Sequence, residues 1–309
     1  MEEMIGIIIL NYNTPEETNL CIESIQKNVK VKYQIYVVDN HSNEANRENL
    51  ISSLSGRDVR LIMLDENLGY SGGNNAGISS AISDKVKYIM IVNSDVVFDN
   101  DVCFYLLNSL DKDVVAAGPK VVRYDGSDGQ NLINTYSYKN AIFDRRPFCD
   151  FSKIFTSLNA EIKTPDEKLI FDGMVSGCCF LIDAEKFVNI GCFDDNVFLY
   201  SEERIMSIKL RQKNYKTAYI PEAIIHHLEG NSTKKEDNSF ADYHRYISDY
   251  YTVITYMKPS KLKRDIFKAI RLINFRLKGV GKMSYREKYK ILKQKMKEID
   301  EGNLKIKYM

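Results

Sequence analysis

The feature that most constrains this chain is an alternation that runs through its first 120 residues. Short apolar runs of strand length trade places with helical patterns, and three of the runs end on amides or carboxylates. Residues 4–10 are an Ile-rich run. Thr14-Pro15-Glu16-Glu17 then reads as a helix start: Thr14 caps, Pro15 suits the first helical position and Glu17 completes a capping box. Leu20, Cys21, Ser24 and Ile25 are expected to face the core. Tyr33–Asp39 is the next strand, followed by a polar helix over Glu44–Leu54 and a third strand over 59–64. A Gly-rich stretch at 67–75 leads into a helix over 76–83. A strand at 88–92, a helix at 100–110 and a strand at 114–117 complete the series. Strand and helix in turn, with short joins, predict parallel pairing and a doubly wound sheet. Such sheets take ligands at the carboxyl ends of their strands. Here those ends are Asn11-Tyr12-Asn13, Asp39-Asn40 and Asn93-Ser94-Asp95.

Beyond this region, residues 121–168 mix polarity and aromatics, and fit either an acceptor-facing flap or a surface excursion. A strand at 175–182, a helix at 201–213, a strand at 216–220 and a Tyr-rich helix at 238–256 follow. Composition excludes several classes. With 44% apolar residues there is material for a core, so disorder is not the main state. A balance of 43 basic to 42 acidic residues gives no global reason to expect nucleic acid. No apolar run reaches the length of a membrane span, and the short run after Met1-Glu2-Glu3-Met4 is not expected to act as a secretory signal. Six cysteines without a C-x-x-C pair read as core residues in a reducing cytosol.

The even balance hides an asymmetry. From Lys258 onward there are 17 Lys/Arg and 5 Asp/Glu, a balance of +12, whereas the preceding part carries −11. The stretch Lys258-Pro259-Ser260-Lys261 marks the junction, so 1–257 is read as the main domain and 258–309 as a basic helical extension. Within it Ile266, Ile270, Ile273 and Leu277 recur on one helical face among Lys263, Arg264, Lys268, Arg271, Arg276 and Lys278, and a second Lys-rich helix spans about 285–299. Two roles stay open for that face: lying on an anionic membrane surface, or packing on the main domain or a partner subunit.

Several local patterns suit one chemistry. The cluster Gly69-Tyr70-Ser71-Gly72-Gly73-Asn74-Asn75-Ala76-Gly77 is neither a dinucleotide fingerprint nor a P-loop. Gly72 and Gly73 would let backbone approach a ligand, and the following helix start favours an anion. Asp39, at a strand end, can accept a nucleobase N–H. Asp95 offers a hard oxygen ligand, and Mg²⁺ or Mn²⁺ is often held by one or two carboxylates plus substrate phosphates. Glu202 and Glu203 open a helix after Phe198-Leu199-Tyr200, and adjacent helix positions cannot both face one spot. His226 and His227 follow a strand and could ligate a metal or bond a phosphate.

The order of these patterns carries a resemblance. Ile7 through Asn13, Val37 through Ser42, Asn67 through Gly77 and Val92 through Val96 come in sequence. After them come Ser176-Gly177-Cys178-Cys179-Phe180, Gly191-Cys192-Phe193-Asp194-Asp195, Phe198-Leu199-Tyr200-Ser201-Glu202-Glu203 and His227 through Ser232. The set resembles the family 2 glycosyltransferases of GT-A fold, in the bacterial rhamnosyltransferase-like and galactofuranosyltransferase-like branch, over about residues 4–232. The resemblance implies an α/β fold with a mostly parallel sheet flanked by helices, the basic helical extension following it. It implies inverting transfer from a UDP- or dTDP-linked sugar to a saccharide or lipid-linked glycan in cell-surface polysaccharide synthesis. It also implies a divalent cation, Mn²⁺ or Mg²⁺, and a cytoplasmic chain that is either free or peripheral on the inner face of the cell membrane.

Carried over by position, Asn11, Tyr12, Asn13 and Asp39 would hold the nucleoside. Asn67, Gly72, Gly73, Asn74, Asn93 and Ser94 would line the donor. Asp95 and His227 would bind the metal, and Asp194 and Asp195 would lie near the acceptor. Glu203 would be the catalytic base, with Glu202 beside it. The chain departs from the family pattern at Asn93, where the first acid of D-x-D stands, at Ile205 and Met206 after the base, and at Lys209 in place of Arg. Asn93 and Ile205 support the alternative of a weakly active or inactive nucleotide-sugar-binding subunit of a glycan-assembly complex. The residues do not choose the sugar, and they leave a homodimer open.

Overall fold

The computed structural model describes residues 4–129, 131–134, 137, 138, 141, 165–228 and 238–302. Four parallel strands form its first half: β1 (Ile5–Asn11), β2 (Tyr33–Asp39), β3 (Val59–Met63) and β4 (Tyr88–Asn93), joined through α1 (Pro15–Asn28), α2 (Glu44–Leu54) and α3 (Gly69–Ser83). Their order, β3-β2-β1-β4, places β1 at the centre. The register pairs Asn11 with Asp39 and Leu10 with Asn93. The three polar strand ends therefore stand side by side by construction.

The second half turns the sheet mixed. β5 (Val96–Phe98), α4 (Val102–Leu107) and β6 (Val114–Arg123) come next, then β7 (Leu132–Asn134), β8 (Leu169–Phe171), β9 (Gly173–Val175) and β10 (Cys179–Asp183). β10 inserts antiparallel between β4 and β6. After α5 (Ala184–Asn189) and α6 (Glu202–Gln212), β11 (Lys216–His227) runs parallel to β6 and antiparallel to β5 and β8. Nine strands join this sheet among the described residues, while β7 and β9 form a separate pair.

Alternate residues of β1 feed opposite faces, as a pleated strand requires. Ile7 and Ile9 pack under α1, α2 and α4, and Ile8 packs with Val38, α3 and α5. A third apolar cluster joins α6 to α7 (Ser239–Thr252), α8 (Lys261–Lys278) and α9 (Met283–Asp300). It combines Val197, Ile205 and Ile208 with Tyr250, Phe267, Phe275 and Leu292, so packing runs across Lys258 without a break. α6 serves two cores, presenting Met206 and Leu210 to the sheet and Ile205 and Ile208 to the later helices.

Local readings needed correction at several points. β11 runs on past 220 to His227, so His226 and His227 close that strand instead of following it, and β6 runs on past 117 to Arg123. α3 begins at Gly69, not Ala76, so the Gly cluster is its first two turns. Glycine is costly in a helix, but the cost is offset by close packing. A Cβ on Gly73 would stand 2.5 Å from Leu10 Cδ1. The expected single strand at 175–182 breaks at 176–178 into β9 and β10. On α1, Leu20 points outward and Ile22 is buried in its place. Thr14 occupies the N-cap of α1 but its hydroxyl caps nothing, because it is held by the strand ends described next. The five described cysteines are all free thiols, and no described helix is long and apolar enough to cross a membrane.

Candidate active site

The floor of the site is a hydrogen-bonded row along the ends of β1, β2 and β4. Asn11 is fully buried and donates to Asp39 Oδ1 (2.8 Å) and Ser42 Oγ (3.1 Å). Its carbonyl oxygen accepts from Thr14 and Thr18. Thr14 Oγ1 lies 3.0 Å from Ser94 Oγ, linking β1 to the turn after β4. Asp39 is also fully buried, and its second oxygen accepts from Ser42 N–H and from Arg47 Nε (3.0 Å). A buried carboxylate needs such a partner. Asp39 and Asn11 thus shape the floor from beneath, while Tyr12 stands half-exposed at its rim. Asn13 adopts a left-handed conformation and accepts from Asn43 N–H (2.8 Å). Asn67 accepts from Asn40 Nδ2 and from Gly69 N–H. Asn74 is buried, with Nδ2 donating to Tyr70 O.

Past β4, Asp95 meets the end of β11. His227 Nε2 lies 3.1 Å from Asp95 Oδ1, and both side chains are partly exposed. His226, the next residue back on the strand, points the other way, 3.8 Å from Asp99. One carboxylate and one imidazole are a donor set suited to a divalent ion. No described group of three or more His, Cys, Asp or Glu could hold one by protein atoms alone. Diphosphate oxygens and water would complete the shell, as is common for Mg²⁺. The expected Gly230-Asn231-Ser232 lies outside the described residues.

The 176–178 break in the strand connects this edge to α6. Asn93 N–H donates to Cys178 O (2.8 Å), and Gly177 N–H donates to Glu203 Oε1 (3.3 Å). Tyr70 Oη donates to Gly177 O (2.7 Å), tying α3 to the same turn. The Cys178 thiol is pushed up to about 12, chiefly by burial and further by the charges of Asp95 and Glu203. A Cβ on Gly177 would fall 2.6 Å from Glu203 Oε1, so glycine leaves the space that the carboxylate occupies. Tyr200 and Ser201, just before α6, both have left-handed backbone. Such residues cost about 1–3 kcal/mol each and persist where surroundings hold them. Here Ser248 donates to Leu199 O, and Arg245 stacks over Tyr200.

The two acids at the start of α6 separate as their spacing requires. Glu203 is half-buried at the Gly177 turn. Glu202 is buried, and burial followed by the Glu203 charge holds its carboxyl well above the usual range. Asp194 and Asp195 separate too. Asp194 accepts from Tyr251 Oη (2.8 Å), Tyr256 Oη (2.7 Å) and Asn196. Burial would raise its carboxyl, but these bonds, Tyr256 first, hold it below the usual range. Asp195 is exposed and bonded to Asn75 Nδ2 (2.5 Å). Lys209 donates to the carbonyls of Gly191 (3.2 Å) and Cys192 (2.8 Å), securing the same loop to α6. Ile205 and Met206 are buried in separate cores.

Sequence reasoning missed Arg47 and Asp249, and it marked Asn40 as a polar strand end without foreseeing that it clamps Asn67 and Leu68. Arg47 lies one turn into α2 after a strand-end acid, a placement that could have signalled a partner for Asp39. Asp249 pairs with Arg204 (3.1 Å) and Arg271 (2.6 Å), from three different helices, and no local pattern announces that.

The chain is similar to several known proteins. The glycosyl transferase family 2 profile matches residues 6–190. An N-acetylglucosaminyl-diphospho-decaprenol L-rhamnosyltransferase of Mycobacterium tuberculosis is 22% identical over 253 residues, covering 77% of this chain and 80% of that one. A poly-beta-1,6-N-acetyl-D-glucosamine synthase of Staphylococcus epidermidis is 23% identical over 226 residues, 72% of this chain; the match spans 49% of the synthase. The fold is similar to S. aureus TarS 1-349, with TM-score 0.53 and 10% identity, covering 97% of this chain and 82% of that one. It is also similar to GalNAc-T7 solved with UDP, GalNAc and Mn²⁺, with TM-score 0.57 and 15% identity, covering 88% of this chain and 55% of that one. The strand-end row, the Asp95 turn and the acids of α6 thus stand in a chain that belongs to glycosyl transferase family 2.

Proposed function

We propose that this glycosyltransferase moves a sugar, with inversion, from a nucleoside-diphosphate sugar to a hydroxyl of a saccharide or lipid-linked glycan in cell-surface polysaccharide synthesis. One observation carries the reading: a nearly continuous run of contacts from Asp39 to Glu203. Hydrogen bonds join Asp39 to Asn11, Asn11 to Thr14 and Thr14 to Ser94; beside Ser94, Asn93 bonds Cys178, and Gly177 bonds Glu203. Residues as far apart in the chain as Asn11 and Glu203 thereby frame one edge. The names of the relatives support the class of donor and acceptor.

In this reading Asn11 and Asp39 seat the nucleoside, with Tyr12 and Asn13 at the rim. Asn67, Gly72, Gly73, Asn74, Asn93 and Ser94 back the donor. Asp95 and His227 fit a divalent ion together with the diphosphate, and such an ion, when bound, supplies Lewis-acid stabilisation of the leaving group. Glu203 takes the proton from the acceptor hydroxyl as its oxygen attacks the anomeric carbon. The nucleoside diphosphate leaves with the electrons of the broken bond. One base and no covalent intermediate suffice for inversion, by analogy with single-displacement glycosidases. Gly177 N–H orients Glu203 and leaves its other oxygen for the acceptor. Asp195, the exposed acid of its loop, faces the acceptor, while Asp194 anchors that loop. Glu202 lies buried beside Glu203, its carboxyl pushed well above the usual range by burial and by the Glu203 charge.

The test is turnover of Glu203→Gln beside the native chain, read as nucleoside-diphosphate release with Mn²⁺ or Mg²⁺ present. A loss of about 10²–10⁴-fold is expected, with the donor-induced thermal shift unchanged. Native turnover by the variant removes Glu203 from this role. Absence of release by the native chain, despite donor binding, favours a binding subunit instead.

A further inference from the structure

α8 has two apolar faces. Its inward face carries Phe267, Arg271 and Phe275, all fully buried against α7 and α9. On the opposite side Leu262, 70% exposed, aligns with Ile266 and with Ile273, 56% exposed. At about 100° per residue these three fall within about 40° of one another. Val280 and Met283, just past the end of the helix, are also exposed, at 73% and 72%. The stripe read from sequence is therefore not what seats α8. The helix is seated by its other side, and Ile266 and Ile273 are left outside.

The rim is cationic. Lys261, Lys263, Arg276 and Lys282 are exposed around the stripe. Lys268 and Lys278, in contrast, are tied to Asp300 and Asp242 at 2.7 Å each. Asp265 is the single acid within α8, and it lies 3.6 Å from Arg264. A second copy meeting this face with its own α8 would bring like charge against this rim. A phosphate-bearing apolar surface complements both the stripe and its edge.

We propose that the outward stripe of α8 docks on a lipid bilayer with acidic headgroups. Its side chains sit at the acyl boundary and the rim cations lie among the phosphates. This deepens the functional reading above, on which its purpose rests, because a lipid-linked acceptor lies in such a surface. The link to the site is short. Asp249 of α7 holds both Arg271 of α8 and Arg204, the residue after Glu203.

The experiment is flotation of the full chain with vesicles of phosphatidylcholine alone or mixed with phosphatidylglycerol, at low and high salt. Binding to the mixed vesicles only, weakened by salt, is expected. The pair Ile266→Asp and Ile273→Asp should lower it by about tenfold or more, with thermal midpoint and donor hydrolysis unchanged. Lys263→Glu with Arg276→Glu leaves the stripe intact and should weaken it as well, which keeps the test decisive if the first pair misfolds. Three results overturn the proposal: no flotation of the native chain, equal flotation on neutral vesicles, or undiminished flotation of both variant pairs. So does a native dimer, seen by light scattering, that the stripe substitutions dissociate. Flotation without nucleoside-diphosphate release would sink the catalytic reading and leave this one standing.

Discussion

The two walls of the site are built in different ways. The strand-end wall uses neighbours: Asn11 meets Asp39 because parallel β1 and β2 pair in register. Its contacts are mostly amide and hydroxyl bonds, with one carboxylate neutralised by Arg47. The helical wall around Glu203 uses distant segments and buried charge. Arg204, Asp249 and Arg271 come from α6, α7 and α8, and Asp194 is gripped by Tyr251 and Tyr256. A parallel sheet edge thus supplies a floor almost automatically. Placing Glu203, the proposed base, near it requires a separate framework. That framework is the helical cluster of α6 to α9, whose packing passes through the basic segment.

This contrast can be broken or sharpened by substitution. The largest effect on stability is expected from Asp249→Ala, which leaves the fully buried Arg271 without its carboxylate. Breaking a buried pair costs about 3–5 kcal/mol, measurable by urea unfolding. At temperatures where the variant stays folded, donor binding at the strand-end wall should survive while turnover falls. Equal losses of both would show that the two walls are not separable.

Gly73→Ala acts on the other wall. Its Cβ would press on Leu10 and Asn40, and overpacking of this kind costs about 1–3 kcal/mol. Donor-induced thermal shift should fall with it, since Asn40 clamps Asn67 and Leu68. An undiminished shift would detach the Gly cluster from the donor.

The smallest effect is a slope. The Glu202 carboxyl, raised by burial and by Glu203, binds its proton in the folded chain after the unfolded chain has released it. Stability contributed by that proton is full below about pH 4.3 and falls as pH rises toward the folded value. Glu202→Gln should flatten this limb and leave the chain at least as stable above it. An unchanged pH profile would mean that folding does not raise the Glu202 carboxyl.

Much of the strand-end wall was legible because its signals are local. Residues 4–10, Asp39 and Asn93 announce strands and their tips by apolar runs and polar stops. The misreadings there came from contacts that a run of residues does not display. Thr14 looks like a helix cap, yet its hydroxyl is drawn to Asn11 and Ser94. The Gly cluster looks like a loop, yet it is helical because β1 lies close enough to need bare backbone. On α8, the 3.6-residue period marked an apolar face correctly but could not say whether it points in or out. Phe267 and Phe275, on the other side, made that choice by packing on Tyr250 and Tyr246.

By itself, the order of residues determined the strand and helix alternation, the polar strand tips and the charge asymmetry between the two parts of the chain. These follow from side-chain period, turn chemistry and composition, all of which act over a few neighbours. Only the tertiary structure decided that β10 would enter the sheet antiparallel, that Gly177 would meet Glu203, and that one buried aspartate would hold two arginines from separate helices. Those outcomes depend on which distant surfaces exclude water together, and buried charges accept whichever partner that packing brings within reach.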